Sequence, residues 1–410
     1  MSAAGVRNDR ADSEWRRLGP VAAGGTVLGV AISPVRDVLG WAISSNPDIP
    51  LYWAASCSGI FRSENSGRTW RHCSLGLSMP VLTCLAVAPN GMLFAGAMDG
   101  SLYYSDDFGK SWRAGAVPEG LRSPVSAIVA SPDFRYDRTA FAATLSGRLL
   151  VTRDRGATWS DCSLETRGFP VLALAAGPNW EEQQPLFAAA RGRVYASADG
   201  GCTWEATGLA VDDDVVTAVS VSPSYDTDRT LFAGTERGEV FRTGDGGHTW
   251  TRLHAPGSGG YVAALWVDPN SGHAGRVVCA IDARVYVSSD RGDSWALCAQ
   301  LPGAILALAG DERSLLAGLH EAGVWESLDG GRSWHSVSGG LAARGLVHLG
   351  VSSGGELYAW GPTEGVWVSR NGGEPLGEVA GVDGAPPARR GCGRSPGRPR
   401  SDAAWHPSLL

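Results

Sequence analysis

Short apolar segments alternate with turns rich in glycine and proline along most of the chain. The segments run for about four to eight residues, are rich in β-branched and aromatic side chains, and show no helical period of useful length, a pattern typical of β-strands. Four segments recur in each period. The first ends near Pro or a small residue, the second is rich in Phe and Ala, the third alternates, and the fourth begins at Trp. The pattern therefore predicts an all-β array of repeats.

A motif of the form Ser/Thr-x-Asp/Asn-x-Gly-x-Ser/Thr-Trp marks each junction between a third and a fourth segment. Seven full copies are present, and an eighth, from Ser369 to Gly373, lacks the closing Thr-Trp. The acidic or amide positions are Asn65, Asp107, Asp154, Asp199, Asp245, Asp290, Asp329 and Asn371. Their mean spacing of about 44 residues is the length of a four-stranded propeller blade.

The strand count predicts a single β-propeller, because each of the first three segments occurs eight times. The fourth segment follows a motif only seven times, and Glu14 to Leu18 at the N-terminus has the pattern of the missing one. We expect this strand to pair with the one that ends near Ser369 and to close a ring of eight blades, since an open ring leaves exposed sheet edges. Seven blades with a detached sheet is the alternative. The predicted divisions are an N-terminal arm (1–12), the propeller (13–373) and a tail (374–410).

The repeated motif resembles the Asp-box, or BNR repeat, of the sialidase-like superfamily, over roughly residues 13–373. Its chemistry is local: the carboxylate accepts backbone N–H groups in a tight turn, and glycine supplies a positive φ. The tryptophan packs between blades and needs one partner for its N–H group. The box tryptophans are Trp70, Trp112, Trp159, Trp204, Trp250, Trp295 and Trp334. The resemblance implies that the boxes are structural and lie away from the ligand face, so their carboxylates are not catalytic.

Propeller ligands usually lie on the face formed by loops from fourth to first strands and by hairpins from second to third strands. The candidate binding residues on that face are Asp99, Arg191, Asp212, Asp213, Asp214, Glu236, Arg237 and Asp282. An acidic cluster there can bind a cation or a basic partner, and a solvated surface is the other interpretation. The face as a whole is predicted to bind a protein or glycan partner. On the opposite side, two similar loops suggest that Asp137 and Asp228 hold turns.

No catalytic residues are predicted from the sequence. A sialidase-like site requires three arginines, a Tyr–Glu pair and an acidic residue, and the early Phe/Tyr-Arg-Ile-Pro signature of that family is absent. The chain also resembles the photosystem II assembly factor and other non-enzymatic bacterial BNR proteins. This resemblance implies a binding scaffold, because fold alone does not transfer an activity. A glycoside hydrolase with two carboxylates at the central channel remains the alternative.

Net charge and composition bear on the partner, the location and the cofactors of the protein. The net charge of −7 argues against a nucleic-acid partner, except through the tail, where residues 384–410 hold five arginines and one aspartate. That segment is predicted to be disordered, and a truncated or frame-shifted end is equally consistent with it.

No apolar stretch is long enough for a membrane span, no secretory signal is evident, and a cytoplasmic location is expected. The cysteines and histidines show no metal-ligand spacing, so no metal and no cofactor is predicted.

Overall fold

The computed structural model describes residues 16–18, 26–32, 51–162, 164–180, 185–254, 259–269, 275–311, 313–338, 348–351, 357–361 and 365–369. The chain divides into two units, one comprising Met1–Ala22 with Arg344–Leu410 and the other Ala23–Ala343. The larger unit holds seven four-stranded antiparallel sheets, and the smaller holds one. The predicted all-β class and four-stranded blades are confirmed. The predicted arm (1–12) and tail (374–410) lie outside the described residues.

Each of the seven sheets of the larger unit is one blade, formed by four consecutive strands in sequence order. Blades 1 to 4 consist of Val27–Ile32, Tyr52–Ser56, Gly59–Ser63 and Arg71–His72; Leu82–Val87, Leu93–Ala97, Leu102–Ser105 and Arg113–Ala114; Val125–Ala130, Ala140–Thr144, Leu149–Thr152 and Ser160–Asp161; and Val171–Ala176, Leu186–Ala190, Arg193–Ser197 and Glu205–Ala210. Blades 5 to 7 consist of Val216–Val221, Leu231–Thr235, Val240–Thr243 and Thr251–Arg252; Val262–Val267, Val277–Ile281, Arg284–Ser288 and Ala296–Gln300; and Ile305–Gly310, Leu315–Leu319, Gly323–Ser327 and His335–Ser336.

The only helical elements among the described residues are short. A 3₁₀ turn, Glu119–Leu121, lies between blades 2 and 3. Single-turn α-helices, Phe134–Asp137 and Tyr225–Asp228, lie between the first and second strands of blades 3 and 5. In both loops the aspartate at the end of the helix holds the turn as predicted, since Asp137 Oδ1 accepts the N–H of Thr139 at 2.8 Å and Asp228 Oδ1 that of Thr230 at 2.9 Å.

The ring closes with seven blades, so the prediction of eight is wrong and the seven-blade alternative is correct. The first strand of each blade packs beside that of the next, and the first strand of blade 7 packs beside that of blade 1. Seven separate hydrophobic clusters fill the seven seams between neighbouring blades. The cluster at the closing seam joins Val27 and Trp70 of blade 1 to Leu316 and Val324 of blade 7. Repeat counting yields the number of sheets but not which sheets pack against each other.

The eighth sheet belongs to the smaller unit. It contains Arg16–Leu18, Gly365–Ser369, Leu357–Gly361 and His348–Val351 in that order. The N-terminal strand pairs antiparallel with the strand that ends at Ser369, with Arg17 opposite Trp367. Closure of the ring by this strand is not confirmed, because the seven blades of the larger unit already meet at the seam between blades 1 and 7.

The first strands form the inner wall of the ring, and each carries an irregularity at the same point. In every blade the register shifts between the first and third residues of the first strand, as between Val125 and Ala127. In three blades the intervening residue is a hydroxyl side chain that donates to a carbonyl of the next blade. The three bonds are Thr83 to Val125 at 2.5 Å, Ser126 to Val171 at 2.5 Å and Thr217 to Val262 at 2.7 Å. These bonds join neighbouring blades at the channel.

Candidate functional site

The Asp boxes are self-contained turns, as their chemistry predicts. In blade 2, Asp107 Oδ1 accepts the Ser105 hydroxyl at 2.8 Å and the N–H of Ser111 at 2.9 Å, and its Oδ2 accepts the Ser111 hydroxyl at 2.6 Å. The same bonds recur around Asp154, Asp199, Asp245, Asp290 and Asp329. Asn65 takes the same place in blade 1, with its Nδ2 donating to the Thr69 hydroxyl at 2.8 Å. Asn371 lies outside the described residues.

The electrostatics of the boxes match a structural role. Hydrogen bonds from the Ser294 side chain and backbone and from the Ser288 hydroxyl lower the pKa of Asp290 to about 2. At Asp199, partial burial opposes ionisation, but the bonds from Thr203 and Ser197 outweigh it and lower the pKa to about 2. A carboxyl group with such a pKa stays ionised at neutral pH and is a poor general acid.

Six of the seven box tryptophans find the partner that the sequence analysis required for their N–H group. Trp159, Trp204, Trp250 and Trp334 donate to the box glycine carbonyl of their own turn, at 3.0 to 3.2 Å. Trp112 donates to Cys73 O at 2.8 Å, and Trp70 donates to Val337 O at 2.6 Å across the closing seam. Trp295 is the exception among the seven, because its buried indole nitrogen has no partner.

The candidate binding residues lie in the hairpins and loops that the sequence analysis assigned to one end of the blades. Backbone hydrogen bonds join these segments across blades, from Val216 N to Arg191 O at 2.7 Å and from Ile305 N to Asp282 O at 2.8 Å. Within blade 5, Glu236 N donates to the Val215 carbonyl at 2.9 Å. We call this end of the ring the hairpin face. It carries Asp99, Arg191, Asp212, Asp213, Asp214, Glu236, Arg237 and Asp282.

Three of the acidic candidates accept hydrogen bonds from backbone N–H groups of this face, within their own turn or from a neighbouring loop. Asp99 accepts the N–H and the hydroxyl of Ser101 at 2.9 and 3.0 Å. Asp282 Oδ1 accepts the N–H of Tyr261 at 3.1 Å. Asp214 Oδ1 accepts the N–H groups of Val215 and Arg237 at 2.8 and 3.2 Å, and its buried Oδ2 has no partner. The sequence pattern alone does not distinguish such turn-holding carboxylates from exposed ones.

Asp212 and Asp213 are exposed, and so is Arg237. Next to them, the Arg191 guanidinium lies over the ring of Phe169 at 4.4 Å from its centroid. Both side chains are exposed at the hairpin face. A cation on an aromatic face at an exposed site is a weak contact, so this pair presents an apolar ring and a charge together to the solvent.

Three hairpin tips of this face carry charged residues in a conformation that favours glycine. In blades 2, 3 and 5, Gly100, Gly147 and Gly238 take a positive φ in the hairpin. In blades 4, 6 and 7 the positive φ belongs to Arg191 (55°), Asp282 (52°) and Glu321 (57°). The left-handed conformation costs a residue with a Cβ atom about 1 kcal/mol or more. At these three tips a charged residue therefore occupies a strained backbone position that glycine would occupy without strain.

The inner wall of the channel contrasts with the hairpin face. The seven first strands read VLGVAI, LTCLAV, VSAIVA, VLALAA, VTAVSV, VAALWV and ILALAG. None contains an acidic, basic or histidine residue. The carboxylate pair or arginine triad of a glycosidase is therefore not supplied by these strands. Among the described residues, no three His, Cys, Asp or Glu side chains are grouped to hold a metal ion.

The sequence analysis missed a polar cluster between blades 7 and 1, on the side of the ring where the boxes lie. The Tyr52 hydroxyl donates to Glu326 Oε1 at 2.5 Å and is 3.0 Å from the Ser314 hydroxyl. Glu326 is buried, and its Oε2 lies 3.3 Å from His335 Nε2. Burial, followed by the bond to Glu326, raises the pKa of Tyr52. These residues line a cavity of about 620 Å³.

The repeat alignment contains the signal for this cluster. Tyr52 begins a second strand, a position taken in the other blades by Leu93, Ala140, Leu186, Leu231, Val277 and Leu315. Glu326 precedes the box serine, and no other full box has an acidic residue there. Tyr52 and Glu326 thus both differ from the residues at the same positions of the other blades, and they contact each other at one seam.

Comparison with known proteins agrees with this architecture. Residues 103–114 match the family model of the BNR/Asp-box repeat. The structure is similar to that of YCF48 bound to D1 peptide, with 17% identity and a TM-score of 0.56 over 78% of this chain and 95% of that one. The chain is thus a β-propeller that carries a BNR/Asp-box repeat. No curated protein matches it by sequence.

Two other similar solved structures come from proteins of other kinds. One is the GH74 xyloglucanase from Xanthomonas campestris, with 17% identity and a TM-score of 0.60 over 85% of this chain. The propeller spans only 59% of that enzyme. Another is a chain of the mitotic checkpoint complex, with 13% identity and a TM-score of 0.56 over 80% of this chain and 97% of that one. At these identities the likeness establishes the fold alone. No helix within the described ranges is long and apolar enough to cross a bilayer.

Proposed function

We propose that this propeller is a non-enzymatic scaffold that binds a protein partner through its hairpin face. The observation that carries the proposal is the set of charged residues at strained hairpin tips, Arg191, Asp282 and Glu321. Backbone strain retained at a loop tip is one mark of a functional position. Ser66, Phe108, Arg155 and Arg291 take the same conformation in the structural box turns, so the charge displayed at the three tips carries the argument together with the strain. A glycan is the alternative class of partner for this face.

The composition of the face suits a protein partner. Arginine and aromatic side chains are enriched in protein interfaces, and Arg191 with Phe169 supplies one of each. Exposed carboxylates of Asp212 and Asp213 lie in the loop that follows blade 4, so acidic and basic groups are both present. Such mixed charge selects partners and orients them more than it adds affinity. Two of the similar structures, YCF48 with its D1 peptide and the mitotic checkpoint complex, are assemblies with other polypeptides, which supports this class of partner.

The alternative function, a glycoside hydrolase of sialidase-like type, has less support. The first strands that line the channel carry no carboxylate and no arginine, whereas hydrolysis needs two carboxylates about 5 to 10 Å apart. The Tyr52–Glu326 pair has the residue types of a sialidase nucleophile, but it lies on second and third strands at a seam. The similarity to a xyloglucanase covers a part of that enzyme.

The proposal is tested with a triple variant of the hairpin face, Arg191→Gln, Asp212→Asn and Asp213→Asn. The tagged full chain is crosslinked in extract of its source organism, and captured proteins are quantified by mass spectrometry. We expect a defined partner whose recovery falls by about tenfold in the variant, since interface residues that matter cost more than about 1 kcal/mol when truncated.

The matched control is a triple variant at the opposite end of the blades, Arg153→Gln, Glu205→Gln and Asp226→Asn. All three side chains are exposed, and the variant changes the same number of positive and negative charges. It is expected to retain the partner. Equal loss in both variants would show that binding follows overall charge and would refute the assignment to this face. Turnover of fluorogenic glycosides between about pH 4 and pH 8 by the wild type would favour the hydrolase.

A further inference from the structure

Neighbouring blades share a contact that recurs around the ring. The residue three positions after a box tryptophan lies against the box glycine of the following blade. This contact joins Thr207 to Gly247, Leu253 to Gly292 and Val337 to Gly67. The residue that follows the box glycine therefore lies beside the same contact, and the residues at these two positions can be compared from seam to seam.

Cysteine occupies both positions at the seam between blades 3 and 4. Each pair below gives the residue three positions after a box tryptophan and then the residue after the box glycine of the next blade. The pairs are Cys73 with Lys110, Gly115 with Ala157, Cys162 with Cys202, Thr207 with His248, Leu253 with Asp293, Cys298 with Arg332 and Val337 with Arg68. Among these seven pairs, one alone brings two thiol side chains to the contact.

The Cys162 thiol contacts the box turn that holds Cys202. Its S–H group donates to the Gly201 carbonyl at 2.9 Å, across the seam between blades 3 and 4. Cys202 is the next residue after that carbonyl. A disulfide joins cysteines whose Cα atoms lie within about 7 Å of each other. The contact with Gly201 places the Cys162 sulfur at the backbone beside its partner cysteine.

The two thiols differ in their access to solvent. Cys202 is exposed in its box turn, whereas Cys162 is buried. Burial raises the pKa of Cys162 to about 11 against the opposing effect of Arg153, and a negative charge on Cys202 raises it further. Cys162 therefore stays protonated at neutral pH and is shielded from reagents in the solvent. An oxidant in solution reaches Cys202 first, and Cys162 is the thiol next to the product.

We propose that Cys202 is a site of oxidation by hydrogen peroxide and that Cys162 converts the oxidised residue into a disulfide that joins blades 3 and 4. In the first step the Cys202 sulfur attacks one peroxide oxygen and the O–O bond breaks. The leaving hydroxide takes the thiol proton as water, and Cys202 becomes a sulfenic acid. In the second step the Cys162 sulfur attacks the Cys202 sulfur, and the S–O bond breaks as the S–S bond forms. The hydroxide leaves with the Cys162 proton, so two thiols are oxidised and one peroxide is reduced to two waters.

The bridge is identified by peptide mapping of the full chain. The protein is treated with hydrogen peroxide at low concentration of protein, its remaining thiols are blocked with iodoacetamide, and it is digested with trypsin without reductant. Residues 156–167 and 194–229 are tryptic peptides with one cysteine each. We expect mass spectrometry to find these two peptides joined, and to find them separate after treatment with dithiothreitol. The joined species should be lost in the variant Cys202→Ser. It should remain in the control Cys57→Ser, which removes another exposed thiol.

Urea denaturation then shows whether the bridge fits the folded ring. A disulfide that matches the native geometry restricts the unfolded chain and stabilises the folded one. Peroxide is therefore expected to raise the urea midpoint of the wild type and of Cys57→Ser, dithiothreitol to reverse the rise, and Cys202→Ser to show no rise. The proposal would be overturned if the joined peptides were absent or if Cys202 were joined mainly to another cysteine. A bridge that left the midpoint unchanged or lowered it would also overturn the proposal, because the blades would then have to separate to form it.

Discussion

One aspartate or asparagine side chain organises each box turn. Asp290 accepts the backbone N–H and hydroxyl of Ser294 and the hydroxyl of Ser288. Asn65 shows that an amide keeps most of this pattern, since its oxygen accepts the N–H of Thr69 and its nitrogen donates to the hydroxyl. The box therefore requires an acceptor at this atom more than it requires a charge.

We predict that Asp290→Ala lowers the free energy of unfolding by about 1 kcal/mol, as the loss of a capping side chain does. Asp290→Asn is expected to cost less. The bound carboxylate has a pKa of about 2, below the value of about 3.9 for an unfolded aspartate. Its contribution is thus fully present above about pH 4 and is lost as the pH falls towards 2. Urea titrations at pH 7 and at about pH 3 measure both effects; the same pH dependence in Asp290→Asn and the wild type would contradict the assignment.

At the scale of the element, the tips of three hairpins hold charged residues that we propose for binding, although glycine would make the backbone there more stable. Glu321 takes a φ of 57° at the hairpin tip of blade 7, and its backbone N–H donates to the Thr26 hydroxyl at 3.3 Å. Glycine retains that backbone bond and relieves the strain. In blades 2, 3 and 5, glycines already occupy the equivalent conformation.

We predict that Glu321→Gly raises the free energy of unfolding by up to about 1 kcal/mol, because strain relief exceeds the added entropy of the unfolded chain. Glu321→Gln is the control, because it removes the charge and keeps the strain, and its stability should stay close to that of the wild type. Chemical denaturation of the three proteins gives the comparison. A decrease in stability for the glycine variant would show that the tip is not strained.

At the scale of the whole molecule, the ring closes at the seam between blades 7 and 1. Each blade is formed by four consecutive strands, so no blade combines strands from the two ends of the larger unit. The seam is held by a hydrophobic cluster and by the buried bond from Tyr52 to Glu326.

We predict that residues 23–343 fold as an independent ring, since their seven seams are complete without the remaining residues. The truncated protein should unfold in one cooperative transition and keep the near-ultraviolet circular dichroism of its buried tryptophans. The Tyr52→Phe variant of the same truncation, which removes the bond across the closing seam, should unfold at a lower denaturant concentration. Failure of the truncated chain to fold would restore a role in closure for the N-terminal strand.

The sequence alone predicted the strands, the boxes and the pairing of Arg16–Leu18 with Gly365–Ser369. These features follow from short-range patterns that recur at each repeat, and the register of a strand is set by its own alternation. The order of the strands also predicts which loops and hairpins form the hairpin face, because each loop lies at the end of the two strands that it joins. Which of its carboxylates are exposed, such as Asp212, and which hold a turn, such as Asp214, was decided by local backbone geometry.

Only the tertiary structure decided the number of blades in the ring and the cavity at its closing seam. Eight similar sheets are compatible with an eight-bladed ring or with seven blades and one separate sheet. Because the repeats are alike, their sequences do not indicate which sheets pack against each other. Tyr52 and Glu326 are 274 residues apart, and no periodicity connects them. Their bond exists because closure of the ring brings the first and last blades together.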